Sequence, residues 1–163
     1  SKEAKKAFSD SGEIYKYIEI GDVTEYGLIM KHVLGTFDKL PTRAEYQIQT
    51  GDILFALNIS SRGTVVMVPE EFDGAFCTSG FIVLRPDNEE QGYLLWYSLR
   101  SEYCKKQIYY LSQTASQPEL KKDVWNKEFL IPVPVDTKDA IEKSKQFQIS
   151  LRSLLNANDL RYS

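Results

Sequence analysis

The hydrophobic period of this chain changes once, and that change limits the folds open to it. Up to about residue 85, apolar residues alternate with polar ones or stand in short unbroken runs. From Tyr93 onward they recur at a spacing nearer to 3.6 residues. Strands therefore come first and helices later, an α+β order rather than a βαβ repeat. The expected fold is a twisted, mostly antiparallel β-sheet core with a few helices, ending in a helix.

In the strand half, "EIYKYIEIGDVTEYGLIM" reads as a strand, a turn at Gly21-Asp22 and a short return at Leu28 to Met30. "HVLGTFDKLPTRAEYQIQ" reads as a loop punctuated by Gly35 and Pro41, ending in a short strand near Tyr46 to Ile48. "DILFALNI" and "GTVVMV" have the marks of two buried strands joined by the polar "SSRG". "AFCTSGFIVLRP" is a further strand or two, and "PDNEEQG" an exposed turn. In the helical half, "YLLWYSLRSEYCKKQIYYLSQ" predicts one or two helices. "PELKKDVW" predicts a short one with Pro118 in its first turn. "EFLIPVPV" reads as an edge or terminal strand, because its prolines cannot donate to a ladder. The last stretch is a helix capped by Asp136 or Thr137, with one stripe of Ala140, Ile141, Ser144, Phe147, Gln148, Leu151, Leu154 and Leu155.

At 163 residues, 42% hydrophobic and 26% charged, the chain is sized for one domain with its own core. Cys77 and Cys104 fit no metal spacing and no disulfide framework, so they are expected as reduced thiols in a cytoplasmic protein. No apolar run approaches the ~18 residues needed to span a bilayer, and the start "SKEAKKAFSDSGE" has no hydrophobic segment. That start also lacks a methionine, which suggests a piece of a longer chain.

The net charge of -3 argues against gripping nucleic acid by bulk charge, but not against a local basic patch. Residues 51–100 have only Arg62, Arg85 and Arg100 as bases, whereas lysines gather in the last third. His32 is the only histidine and sits in an ordinary strand-to-loop position. There is no phosphate-binding loop, dinucleotide fingerprint or zinc motif. The pairs Glu70-Glu71 and Glu89-Glu90 read as solvated surface, and no "NPPY" or "DPPY" of an amino-methylating enzyme occurs. The chain by itself is therefore not expected to be an enzyme or to need a cofactor.

Three polar segments remain as candidates. "NISSRG" offers Asn58, Ser60, Ser61 and Arg62; arginine can fork onto guanine and asparagine can pair with adenine. "DKLPTRAEY" offers Lys39 and Arg43. "SQTASQPELKK" offers Gln113, Thr114, Ser116 and Gln117, with Lys121 and Lys122 at a helix start where free amides can meet a phosphate. Each also reads as a plain solvated turn. The aromatic set Tyr93, Trp96, Tyr97, Tyr103, Tyr109 and Tyr110 stands at helical spacing and is expected in the core.

The order of these segments resembles one family. "YKYIEIGDVTEYGLI", "YQIQTGDILFALNISSRGTVVMV", "GYLLWYSLRSEYCKKQI", "SQTASQPELKKDVW" and "FLIPVP" follow the pattern of a target recognition domain from the specificity subunit of type I restriction–modification systems, over about residues 14 to 155. No single motif is specific; the ordered set carries the likeness. The family usually has two such domains, where this chain has one, and "TAS" stands where a glycine is frequent. The resemblance implies a recognition domain over residues 1–135, and over 136–163 the start of the helical spacer between the family's two halves. It implies double-stranded DNA as ligand, with one half of a split site read from loops. It also implies methyltransferase and restriction subunits as partners that carry out adenine methylation and cleavage. Lys39, Asn58, Ser60, Ser61, Arg62, Arg43, Gln113, Thr114, Ser116 and Gln117 are the expected DNA contacts, and the stripe of the last helix is expected to face a partner. The resemblance leaves open whether the parent is a separate specificity subunit or a methyltransferase with a fused recognition domain. A protein-interaction module, and less readily a small-molecule-binding domain, are the alternatives.

Overall fold

The computed structural model of the chain describes residues 7, 8, 10–58, 63–112 and 120–162. Among the described residues there are seven strands: β1 (Ile14–Ile18), β2 (Val33–Thr36), β3 (Ala44–Gln47), β4 (Ile53–Ala56), β5 (Val65–Met67), β6 (Phe76–Thr78) and β7 (Phe81–Leu84). Four helices follow: α1 (Glu89–Leu99), α2 (Glu102–Ser112), α3 (Lys122–Glu128) and α4 (Thr137–Tyr162). The α+β expectation holds, with the strands divided between two sheets. One has the order β2-β1-β6-β3 and the other β5-β4-β7. All pairings are antiparallel except β1 with β6.

The second sheet is the middle layer, and this explains the unbroken apolar run of β4. Leu54 and Ala56, with Phe81 of the neighbouring β7, face the first sheet, where they meet Ile18, Ile48 and Cys77. Ile53, Phe55 and Leu57 face the helices, where they meet Trp96, Leu99, Cys104, Ile108, Trp125 and Leu151. A strand covered on both faces has no position left for a polar side chain. The first sheet closes its outer face with Tyr15, Tyr17, Leu40, Ala44 and Phe76. The chain passes from one sheet to the other at Ser79-Gly80, between β6 and β7.

Several expectations are corrected. Val33 to Thr36 is a strand, paired with β1 from Ile14↔Thr36 to Tyr17↔Val33. "PDNEEQG" contains the start of α1: the Asn88 side chain accepts from the Gln91 amide at 2.9 Å. α3 begins at Lys122, and Pro118 lies outside the described residues. Residues 129–135 form no strand. There the Gln107 side chain takes the place of a strand partner, donating to the Leu130 carbonyl at 2.7 Å and accepting from the Leu130 amide at 2.8 Å.

α4 is capped as expected: Asp136 accepts from the Asp139 amide at 2.9 Å. Its stripe, however, lies largely against this chain. Ala140, Ser144 and Leu151 are buried, Ser144 donates to the Tyr93 carbonyl at 3.1 Å, and Phe147 lies 5.3 Å from the Trp96 ring. Leu154 and Ile149 are exposed. The aromatic set also divides. Trp96 is buried, but Tyr103, Tyr109 and Tyr110 are exposed. α2 gives Cys104, Ile108 and Ser112 to the core, at i, i+4 and i+8, so the tyrosines beside them point outward.

Burial has a consequence at alkaline pH. It pushes the Tyr17 hydroxyl up from 10.0 to about 12. It pushes the Cys77 thiol up from 9.0 to about 12, helped by the negative charge of Asp52. The folded chain thus holds protons that the unfolded chain has already released. That stabilisation is full below pH 9 and is lost as pH climbs from about 9 to about 12. Urea unfolding at pH 8 and pH 10.5 should give a clearly lower midpoint at the higher value.

Candidate nucleic-acid interface

Three main-chain hydrogen bonds join segments far apart in sequence. The Ser79 amide donates to the Arg43 carbonyl at 2.9 Å, and the Leu57 amide to the Gly80 carbonyl at 3.1 Å. The Leu120 amide donates to the Leu57 carbonyl at 2.9 Å. Together they lay four segments side by side: the turn ending at Arg43, the Ser79-Gly80 crossing, the end of β4 and the entry to α3. Leu57 and Leu120 are buried, so the line is anchored in the core. The Ala56 amide, donating to the Thr64 carbonyl at 3.1 Å, closes the β4–β5 hairpin just below.

This line brings Arg43 and Asn58 to one edge. Arg43 is exposed and its guanidinium lies over Gly80, where an added Cβ would be 3.6 Å from Nη2. Asn58 is half-buried at the exit of β4 and already engaged. Lys39 is not brought there. It follows Thr36, which pairs with Ile14 at the start of β1, whereas Arg43 precedes Ala44, which pairs with Thr78 at the other end of that sheet. Ser60, Ser61, Arg62, Gln113, Thr114, Ser116 and Gln117 lie outside the described residues.

The cations near this edge are not equivalent. Lys122 is held internally: its ammonium donates to the Tyr46 hydroxyl, lies 4.5 Å from that ring's centre and 3.9 Å from Glu45. Arg100 is stacked between Trp96 and Phe147, 4.1 and 4.2 Å from their centres, and burial lowers its pKa. Lys105 is different. Its stem crosses Gly63, where an added Cβ would be 3.1 Å from Lys105 Cγ, and its ammonium is exposed. Neither it nor Tyr109 was among the expected DNA contacts. The interleaving of lysine and tyrosine in "YCKKQIYY" was the available signal. Among the described residues no group of three or more His, Cys, Asp or Glu could hold a metal ion, and no helix is long and apolar enough to cross a membrane.

No protein-family model matches the chain, and no curated protein matches it. Solved structures do. The HsdS subunit from Thermoanaerobacter tengcongensis matches 97% of this chain with a TM-score of 0.69 and 24% sequence identity. The chain has an HsdS fold. A second structure, concerned with complex assembly and conformational transition of the type I R-M system, matches 94% of the chain with a TM-score of 0.69 and 22% identity. In both cases the chain spans 40% of the length of the solved chain. The HsdS-like fold therefore includes the two sheets and α1 to α4 alike, and the α+β resemblance expected from the ordered segments is met at the level of fold.

Proposed function

We propose that this chain is the target recognition domain of a type I restriction–modification specificity subunit and reads one half of a bipartite double-stranded DNA site. The observation that carries this reading is the match of 97% of the chain to 40% of HsdS, the share expected of one of two recognition halves. The edge that gathers Arg43 and Asn58 supports it. Contacts to phosphates orient such a domain and contacts to base edges specify the sequence. Arg43, Asn58, Ser60, Ser61, Arg62, Gln113, Thr114, Ser116 and Gln117 are the proposed contacts. Lys39, at the far end of the first sheet, is the weakest of the original set. Adenine methylation and cleavage belong to methyltransferase and restriction subunits in the cytoplasm, and the domain itself needs no cofactor.

The test uses the full-length parent assembled with its methyltransferase subunits. Methylated adenines are mapped in DNA exposed to that complex, with this domain present or exchanged for a related one. The expected result is a new sequence in one half of the modified motif. An unchanged motif would remove the reading. A parent with a fused methyltransferase would give the same result from a single chain. Arg43→Ala and Arg62→Ala are each expected to weaken binding to the mapped motif by about tenfold or more, the scale of one good arginine contact to a base edge. Equilibrium titration against matched and mismatched duplexes checks this, and unchanged affinity and selectivity would delete the residue from the interface.

The second reading is a protein-interaction module, and one observation favours it: Leu130, Val133 and Val135 are exposed on the extended segment before α4. DNA affinity that falls steeply with salt supports the first reading. Partner binding that persists across salt supports the second.

A further inference from the structure

We propose that Lys105 and Tyr109 of α2, with Tyr26 of the turn at Thr24–Gly27, form a second DNA-contacting wall that grips the phosphate backbone beside Asn58. This rests on the reading of the chain as a DNA-recognition domain and extends it to residues outside the three polar segments. The placement follows from two close approaches. Gly63, at the start of the return to β5, is crossed by the Lys105 stem and lies near Ile108. Tyr109 stands four residues beyond Lys105 and shares its helix face. On the other side, Gly27 (φ +90°) comes so near β5 that an added Cβ would be 2.3 Å from the Val65 carbonyl oxygen. That approach sets the turn against β5, and the hydrogen bonds from the Thr24 amide to the Leu28 carbonyl and from the Gly27 amide to the Thr24 carbonyl hold its shape. A cleft of about 200 Å³ lies between, lined by Glu25, Tyr26, Gly63, Arg100 and Lys105.

The chemistry of this wall suits a polyanion. Residues 100–112 hold Arg100, Lys105 and Lys106 against Glu102 alone, in a chain of net charge -3. Lys105 pairs with Glu102 at 3.2 Å, but the two side chains are 44% and 78% exposed, so a phosphate can displace that weak contact. Glu25, the acid that lines the cleft, is already engaged. Tyr109 is 53% exposed and Tyr26 54% exposed, and each offers a hydroxyl donor to a phosphate oxygen. Ile108, on the adjoining core face of the helix, is buried. An apolar protein partner would find little here, unlike at Leu130 to Val135.

The experiment measures binding of the assembled parent complex to a fluorescent duplex carrying the mapped motif, across a salt series. Wild type, Lys105→Gln, Tyr109→Ala and Tyr26→Ala are compared. Lys105→Gln keeps the stem that crosses Gly63 and removes only the charge. Its expected effect is a drop of about 1 in the slope of log affinity on log salt, one phosphate contact, with the preferred motif unchanged. Tyr109→Ala and Tyr26→Ala are each expected to weaken binding about fivefold or more on matched and mismatched duplexes alike, the scale of one hydrogen bond to a phosphate. If all three variants match wild type in slope and affinity while wild type stays selective, the wall is overturned and the recognition reading stands. If wild type itself shows no preference for the motif, both fall.

Discussion

Trp96→Ala should cost the fold about 4 kcal/mol, the middle of the range for removing a large buried aromatic side chain. Trp96 is 1% exposed and stands where α1, α4 and β5 meet. Its indole N–H donates to the Val65 carbonyl at 3.2 Å, its ring packs on Phe147, and Arg100 lies 4.1 Å above it. Alanine would leave a cavity in the helix layer, and a half-buried guanidinium without the face that offsets its lost hydration. The urea midpoint should fall far below that of wild type. Trp96→Phe keeps most of the volume and gives up the N–H, so it should lose only about 1–2 kcal/mol. Equal midpoints for wild type and Trp96→Ala would mean that α1 and α4 do not pack on β5 as described.

Arg85→Ala is expected to destabilise by about 3 kcal/mol, although Arg85 itself is half exposed. The reason lies in its partner. Asp52 is buried, and its carboxylate accepts from Arg85 Nε at 2.9 Å, Arg85 Nη2 at 2.8 Å and the Gln49 amide at 2.8 Å. Without Arg85 a buried negative charge keeps a single donor. A double-mutant cycle separates the two roles of Asp52. Adding Asp52→Asn to Arg85→Ala should recover part of the loss, since an amide needs no counter-charge and can still accept from Gln49. If the double variant is as unstable as the sum of the two single ones, the pair is not coupled and the expectation fails.

Elements buried on both faces, or along one helical stripe, were legible in the sequence. The unbroken run of β4 and the 3.6-residue spacing of α1 and α2 could hardly be read otherwise. β2 was not, because Val33 and Leu34 face solvent and its place depends on pairing with β1, which no local pattern announces. Residues 129–135 show the converse: apolar and proline-rich, they looked like a strand, but the hydrogen bonds of Leu130 go to the Gln107 side chain. The tyrosines of α2 were assigned to the core by their helical spacing, whereas the phase set by Cys104, Ile108 and Ser112 turns them outward. At the candidate interface, residue type pointed to Arg43 and Asn58. Their adjacency was invisible, because it arises from three hydrogen bonds between distant segments. Lys39 matched them in type and is separated from them by the length of a sheet.

Those three bonds have one further property. They run between amides and carbonyls of the main chain, so they are indifferent to the side chains attached. The support beneath this edge therefore asks only that positions 57, 79 and 120 keep an N–H, which excludes proline there and nothing else on hydrogen-bonding grounds. The residues that project beyond can be exchanged wholesale while the frame keeps its shape. A scaffold of that kind can acquire a new vocabulary without having to learn a new fold.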